Sequence, residues 1–294
     1  MKDFIIISDG ACDLSDESVS QLGVKIVPFY VAFEEGKYLR EKKEVSVQDF
    51  YQSLIDNPDV FPKSSMPTAQ DYYAEFEKAY NDDLAIICVT LTKKFSGSLN
   101  SALTAKDMFL EEHPDAKIEV IDSTLLSCSQ GLLVREMCRM KDNGLTFEEI
   151  IENANRIKET GRCYFTLDGL LYLQHGGRIG KLTAVVGNLF KIAPLIVHKD
   201  GEIQSAGIAI SRKRAVLKIL DKFKTTLNKY NLNIDDYLIG VGYGYSKEEG
   251  KELIHKFETM FNHKVDYVDQ IGATIAVHGG SHPLGIVFIK KYDR

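Results

Sequence analysis

Short apolar runs alternate with amphipathic stretches through the first 160 residues of the chain. The apolar runs are nearly unbroken, which is typical of strands buried on both faces of a parallel sheet. They are FIIIS at 4–8, LAIICVTL at 84–91 and KIEVID at 117–122, with a further extended segment, VKIVPFYVAF, at 24–33. Helical spacing of apolar residues occupies the ranges 15–22, 46–55, 69–80, 99–112, 128–141 and 146–160. This alternation predicts a mostly parallel sheet flanked by helices.

The second half of the chain has a different order of elements. Strands are predicted at 163–167, 237–246 and 284–291, and helices at 212–230 and 247–261. The turn KDGE at 199–202 joins two extended arms and indicates a hairpin, while 184–198 is predicted to run from helix into strand. The pattern predicts a mixed α/β domain. With Gly161 as a helix C-cap, we expect two domains, 1–160 and 161–294, with a ligand site between them.

Composition narrows the class of protein. The 294 residues are 44% hydrophobic and 27% charged, which is typical of a globular protein. A net charge of −6 argues against a nucleic-acid partner, since such proteins carry a basic face. The five cysteines form no C-x-x-C pair, and no apolar run approaches the ~20 residues that span a bilayer. We therefore expect a cytoplasmic protein without stable membrane insertion.

Polar residues follow three of the predicted strands where the strands end. They are Ser8-Asp9, Ser96-Gly97-Ser98 and Asp122-Ser123, and a separate loop, KSSMPT at 63–68, brings Ser64, Ser65 and Thr68 to another helix start. Ligands of open α/β sheets bind outside the carboxyl ends of the strands, where helix N-termini favour anions. The pattern predicts recognition of a small anionic group such as a carboxylate or phosphate. The alternative is that each hydroxyl is a simple helix cap.

A second set of candidates is His278 and the glycines that follow it. The apolar run before His278 predicts a strand, so we expect the ring at a strand end beside exposed backbone. There the ring can donate a hydrogen bond to an anion. The alternative is a histidine whose ring is bonded to a neighbouring carbonyl. His278 and His282 are four residues apart, but Gly279, Gly280 and Pro283 argue against a helix that would pair them on a metal ion.

Cationic residues form a third set. Arg178 follows a glycine pair in LQHGGRIGK, a pattern that suits phosphate binding or a plain helix break with a solvated arginine. Arg212 and Arg214 begin a basic helix in an acidic protein. That helix is either a solvated face or a docking surface for an acidic partner.

The chain carries no Walker A sequence, no G-x-S-x-G elbow and no H-E-x-x-H. Ser96, His278 and Asp9 include the side-chain types of a hydrolytic triad, but nothing in their spacing requires one. Anion recognition without an evident nucleophile and base favours a binding protein that needs no cofactor. A hydrolase or a phosphotransfer-related enzyme that uses Ser96 and His278 is the alternative.

Six segments together resemble the DegV family of bacterial proteins in order along the chain. They are IISDGACDLS, KSSMPT, FSGSLNSA, VIDSTLLSCSQG, LQHGGRIGK and IGATIAVHGGSHPLG. The resemblance implies a two-domain α/β carrier that holds a long-chain fatty acid between its domains. It also implies a partner, the catalytic subunit of a fatty acid kinase, which converts the carboxylate to an acyl phosphate for phospholipid synthesis.

The resemblance assigns site residues by motif. It implies that Thr68 and Ser96 bond the carboxylate, with Ser65, Ser98 and His278 nearby and Gly97 and Gly279 giving backbone room. Arg178, Arg212 and Arg214 are the expected kinase-docking residues. The sequence departs from the family pattern at Met66, at Ser98 and at Ser281-His282, where Gln, Thr and Pro-Gly are usual.

Overall fold

The computed structural model describes residues 3–34, 36–185 and 193–292. The strands before residue 161 are β1 (Phe4–Asp9), β2 (Lys25–Val27), β3 (Tyr30–Ala32), β4 (Leu39–Arg40), β5 (Lys63–Ser65), β6 (Ala85–Thr90) and β7 (Ile118–Asp122). The helices of this half are α1 (Asp16–Leu22), α2 (Val47–Asp56), α3 (Ala69–Asn81), α4 (Ser98–Glu112), α5 (Ser127–Asp142) and α6 (Phe147–Ile157). Side-chain caps fix several helix starts, among them Ser46 at α2 and Thr68 at α3.

The second half continues the chain order. Its strands are β8 (Arg162–Thr166), β9 (Ala193–Lys199), β10 (Glu202–Ala209), β11 (Tyr237–Tyr243), β12 (Tyr267–Gln270) and β13 (Leu284–Lys290). Its helices are α7 (Leu171–His175), α8 (Arg212–Tyr230), α9 (Lys247–Phe261) and α10 (Ala273–Gly279). The helical start that we predicted before β9 falls largely outside the described residues.

The first sheet is parallel throughout, in the order β2-β1-β6-β7. Every residue of β6 is buried, because helices cover both faces of the sheet. On one face, Tyr72 and Phe76 of α3 pack with Phe109 of α4. On the other face lie α5 and α6. The predicted parallel α/β unit is confirmed.

The second sheet has the order β10-β9-β8-β13-β11-β12 and is antiparallel except for the β11–β12 pair. The predicted hairpin is the β9–β10 pair. Helices α8 and α9 cover the outer face, where Phe223 packs edge-on to Phe288 with ring centroids 4.9 Å apart. The mixed α/β fold of this half is confirmed, whereas the boundary at 160/161 stays a prediction.

Helix α5 lies between the two sheets and is buried along nearly its whole length. Its apolar side chains share one core cluster with Val287 and Ile289 of β13. Two charged residues are buried with it: Arg135 bonds Asp269 at 2.9 Å, and Glu136 accepts from the amide of Tyr292 at 2.6 Å. A helix that is buried on nearly all sides needs cover on each of them, and the second sheet covers the side that the parallel sheet leaves open.

A third, antiparallel sheet, β4-β3-β5, was not predicted. The extended run at 24–33 divides at Pro28-Phe29, so β2 joins the parallel sheet while β3 joins this small one. The serines of KSSMPT are therefore strand residues: Ser64 and Ser65 pair with Val31 and Tyr30.

The strand predicted before His278 is wrong, because residues 273–279 form helix α10. The β-branched run favours a strand locally, but tertiary contacts override it. Ala273, Ala276 and Val277 pack against α2 and β3. The Glu41 carboxylate accepts the first helical amide, that of Ala273, at 2.6 Å. His278 therefore lies in the last turn of a helix.

Candidate functional site

A cavity of about 340 Å³ lies between the parallel sheet and the inner face of the second sheet. This volume is within the usual range for small-molecule sites. Apolar side chains form most of the wall of this cavity. The apolar and small residues that line it include Phe29, Leu91, Phe95, Leu126, Cys128, Cys163, Phe165, Leu167, Leu173, Ile203, Gly242, Ile271, Ile275, Pro283, Gly285 and Val287.

The register of the second sheet explains this wall. Alternate residues of a strand face the same side, so Cys163 and Phe165 of β8 both point inward, as does Val287 of β13. The outward residues between them, such as Ile286, belong to the core under α8 and α9. One face of a single sheet thus forms the apolar floor of the cavity.

Polar groups gather at one end of the cavity. They are Ser64 and Ser65 of β5, Ser96 and Gly97 before α4, Arg178, and His278 and Gly279 of α10. Four distant segments therefore meet here, and they include the predicted residues Ser65, Ser96, Gly97, His278 and Gly279. No Asp or Glu lies among the residues described as lining the cavity. This end suits an anion.

His278 is largely buried, and its Nε2 lies 3.1 Å from the Ser64 hydroxyl. Its Nδ1 has no hydrogen-bond partner among the described residues, and a side chain at Gly176 would collide with it. Burial, and then the positive charge of Arg178, lower the pKa of His278 to about 4. The ring is therefore neutral near pH 7 and can act as a hydrogen-bond donor without adding charge.

Ser96 and Gly97 form the entry to α4, a helix of 15 residues. The Ser96 hydroxyl accepts a hydrogen bond from the Ser98 amide at 3.1 Å. No acidic residue lies in the first turn of α4, and the Asp9 carboxylate reaches this helix start only from the buried side, through the Ser98 hydroxyl. The sulfur of Met66 packs on Gly97, which has no room for a Cβ. Met66 thus forms part of the rim where the family pattern has glutamine.

Arg178 lies at the same end, where the sequence allowed phosphate binding, a helix break with a solvated arginine, or kinase docking. Its Nε donates to the Phe95 carbonyl at 3.1 Å, and Nη1 donates to the Gly176 carbonyl at 2.8 Å. These bonds hold an exposed guanidinium beside the cavity. The glycine pair before Arg178 was a visible signal, but nothing in the sequence placed it next to His278.

Two predicted ligand residues do not line the cavity. Thr68 caps α3: its hydroxyl donates to Asp71 at 2.7 Å and accepts the Asp71 amide. Ser98 is fully buried and donates to Asp9 at 2.7 Å, with the Tyr72 hydroxyl 2.6 Å away. Thr68 is thus a helix cap, as the capping alternative expected, whereas the Ser98 hydroxyl bonds a carboxylate far away in the sequence.

The other two predicted docking residues lie on α8. Arg212 forms a two-point ion pair with Glu249, at 2.9 and 3.0 Å, and donates to the His282 carbonyl at 2.6 Å. Arg214 is exposed. Arg212 thus joins α8 to α9, whereas Arg214 lies on the exposed surface of α8.

The triad alternative finds no support in the geometry. The Asp9 carboxylate accepts from the Leu91 amide, from Ser98 and from Gln130, at 2.7 to 2.9 Å. His278 bonds Ser64 instead. The three groups that would form a relay are thus engaged elsewhere among the described residues.

Two buried acids, Asp13 and Glu41, lie behind the cavity wall, and neither was predicted from the sequence. Ser127 and Thr274 line the cavity and turn their hydroxyls away from it, to Asp13 and Glu41 respectively. Burial and the Glu41 charge raise the pKa of Asp13 well above its usual range, and burial raises that of Glu41. Such a pair favours keeping one proton.

A family model, that of the uncharacterised DegV proteins, matches residues 3–291. This chain belongs to the DegV family. A DegV domain-containing protein of Clostridium perfringens is 28% identical over 98% of both chains. The family resemblance that the six segments indicated is thus confirmed.

Solved DegV structures share the fold over their whole length. One, from Eubacterium ventriosum, is described as a fatty acid (stearic acid)-binding protein; it has 37% identity and a TM-score of 0.95, covering 98% of this chain and 99% of that one. DegV of Bacillus subtilis, described as a fatty acid binding protein, has 26% identity and a TM-score of 0.85, covering 99% and 100%.

Two further findings on this DegV chain concern membrane-spanning helices and metal binding. In residues 3–34, 36–185 and 193–292, no helix is long and apolar enough to cross a membrane. In the same residues, no group of three or more His, Cys, Asp or Glu side chains is placed to bind a metal ion.

Proposed function

We propose that this protein is a carrier that binds one long-chain fatty acid, with its acyl chain in the apolar cavity and its carboxylate at the polar end. The observation that carries the proposal is a cavity with carbon walls that ends at hydroxyls, a helix N-terminus and an arginine, without an acidic side chain among its lining residues. Its DegV relatives described as fatty acid-binding proteins support the choice of ligand.

The polar end orients the acid. Ser65 and Ser96 are the proposed donors to the carboxylate, His278 lies beside them with its Nε2 bonded to Ser64, and Gly97 and Gly279 leave room for the approach of the carboxylate. We assign Thr68 and Ser98 to support of the site, through α3 and Asp9. Each buried methylene contributes about 0.8 kcal/mol, so about a dozen contribute roughly 10 kcal/mol before the costs of association. The chain supplies affinity, and the polar end supplies direction.

Protein purified without added lipid is expected to release a fatty acid when it is denatured, because an apolar cavity of this size retains its ligand through purification. Mass spectrometry of the extract identifies it, and native mass spectrometry gives the stoichiometry. A protein that elutes empty and does not take up added palmitate or oleate contradicts the proposal.

We further propose that a kinase subunit acts on the bound carboxylate to form an acyl phosphate, as the family resemblance implies. Arg178 lies beside the carboxylate end and Arg214 is exposed, so both are accessible to a partner. Arg212 contributes by fixing α8 through its Glu249 pair. Charge reversal at Arg178 and Arg214 is the corresponding test of docking.

Ser96→Ala is expected to reduce acyl-phosphate formation by about tenfold while lowering fatty acid retention much less. The hydroxyl orients the head, and a hydrogen bond to a charged group contributes about 1.5–3 kcal/mol. The measurements are kinase turnover and ligand occupancy on the same preparations. Ser46→Ala is the control, since the Ser46 hydroxyl also accepts a backbone amide at a helix start, that of Asp49, and Ser46 does not line the cavity. Equal loss of turnover and retention would mean that Ser96 only supports the fold.

Gly242→Ala is expected to shift the preference towards acids about two carbons shorter, by roughly 15-fold. Its methyl would lie 2.9 Å from the Cys128 sulfur and would narrow the apolar end. Two methylenes correspond to about 1.6 kcal/mol. Competition between saturated acids of different length measures the shift. Gly250→Ala is the control, because its methyl crowds Tyr243 of the same strand, and neither residue lines the cavity.

A further inference from the structure

The second sheet holds a histidine that the proposed carboxylate site does not use. His198 of β9 has no exposed surface, and neither of its ring nitrogens has a hydrogen-bond partner among the described residues. Burying both nitrogens without partners costs free energy. A leucine or phenylalanine would fill the position without that cost, so packing alone does not account for a histidine here.

The register of the sheet shows which way the ring points. Residues that are directly opposite each other on antiparallel strands project from the same face. His198 is opposite Ile203 on β10 and opposite Cys163 on β8, and Cys163 is in turn opposite Val287 on β13. Ile203, Cys163 and Val287 all line the cavity. His198 therefore projects from the floor of the cavity, between two residues that form its surface.

One aromatic side chain covers His198. The ring of Phe95, which lines the cavity, lies with its centroid 6.3 Å from that of His198. The Phe95 carbonyl is held by Arg178, at the carboxylate end. The imidazole is thus separated from the ligand space by apolar side chains that a bound chain contacts directly.

The surroundings limit what the ring can recognise. Burial lowers the pKa of His198 to about 4, so the imidazole is neutral near pH 7 and offers one N–H donor and one acceptor nitrogen. Its neighbours Ile203 and Phe95 offer no charge to balance an ion. A small neutral group that both donates and accepts fits this environment, and a hydroxyl is such a group.

We propose that His198 is a recognition site for a hydroxyl on the acyl chain, so that this carrier takes hydroxylated fatty acids as well as plain ones. The inference rests on the proposed function, because it requires the chain to lie along the floor of the cavity. Because Phe95 covers the ring, the bond forms when this side chain moves aside, and the hydroxyl then replaces hydration lost on entry with a bond to the imidazole. A plain chain passes over the covered ring without that bond.

The test compares stearic acid with positional isomers of hydroxystearic acid, in wild type and in His198→Leu. At least one isomer is expected to lose about tenfold in affinity relative to stearic acid when His198 is replaced. His198→Gln, which keeps a donor and an acceptor, is expected to restore most of that preference. Binding of that isomer should also shift the ¹⁵N resonances of the His198 ring in wild type, whereas stearic acid leaves them nearly unchanged.

Val197→Ala is the control for general loosening, because Val197 is next on β9 and points to the opposite face. An unchanged ratio of hydroxystearic to stearic acid affinity in His198→Leu, for every isomer, overturns the inference. That result is distinct from failure of the proposed function, in which stearic acid itself does not bind.

Discussion

Replacing Asp9 with alanine is expected to lower the free energy of unfolding by about 3–5 kcal/mol. The carboxylate is fully buried and is the acceptor for the Leu91 amide, the Ser98 hydroxyl and the Gln130 amide. Each buried donor left without a partner costs about 1–3 kcal/mol, offset in part because burying Asp9 is itself unfavourable. Urea unfolding of ligand-free protein measures the loss.

Ser98→Ala is the matched control for this prediction. It removes one of the three donors with its hydroxyl and leaves the other two bonds to Asp9 in place, so a loss of about 1 kcal/mol is expected. If Asp9→Ala destabilises no more than Ser98→Ala, the carboxylate is not the centre of a network. Asp9 ties β1, the end of β6, α4 and α5 together, so its loss should also disorder the start of α4 where Ser96 lies.

Acid is expected to destabilise the ligand-free protein by about 3 kcal/mol through His198 alone. Burial lowers the pKa of this histidine from 6.5 to about 4. Between these values the unfolded chain binds a proton that the folded chain does not, so stability is lost as pH falls from 6.5 to 4. A shift of this size corresponds to about 3 kcal/mol, with the full contribution of the neutral ring present above pH 6.5.

The measurement is the free energy of unfolding in urea at several pH values, for wild type and His198→Leu. Between pH 6.5 and pH 4, the free energy of unfolding of the variant is expected to fall less steeply than that of wild type. The two proteins are compared by this slope and not by their stability at pH 7. His278, whose pKa is also lowered to about 4, contributes in the same direction and remains in both proteins. Parallel pH curves for the two proteins would show that folding does not lower the pKa of His198.

The regular elements could be predicted because hydrophobic spacing decides them. An apolar run such as LAIICVTL is typical of a strand that is covered on both faces, and β6 is such a strand. Residues 273–279 show where this reasoning ends. Their local preference is for a strand, and the cap from Glu41, more than 230 residues earlier, makes them a helix. A charged residue in REKKE gives no local sign of that burial.

The site was predictable to the extent that it follows from motifs at helix starts. Ser96 and Gly97 lie at the cavity, but Thr68 and Ser98 bond to Asp71 and Asp9 instead. A hydroxyl at a helix start faces either the ligand or its own helix, and the choice depends on neighbours brought in by the fold. His198 could not be recognised as a candidate from the sequence. What distinguishes it is that neither ring nitrogen has a hydrogen-bond partner among the described residues, and only the folded structure shows this.

The position of α5 has a consequence for how such proteins can be recombined. Its apolar sides are shared between a sheet made before residue 123 and a sheet made after residue 161. A protein fragment that ends at residue 160 would keep α5 and lose the second sheet that covers one side of this helix. The complementary fragment would lose the helix that packs against Val287 and Ile289. Neither half is an exchangeable module, so a chimera of two such carriers must take α5 and its facing strands from one parent.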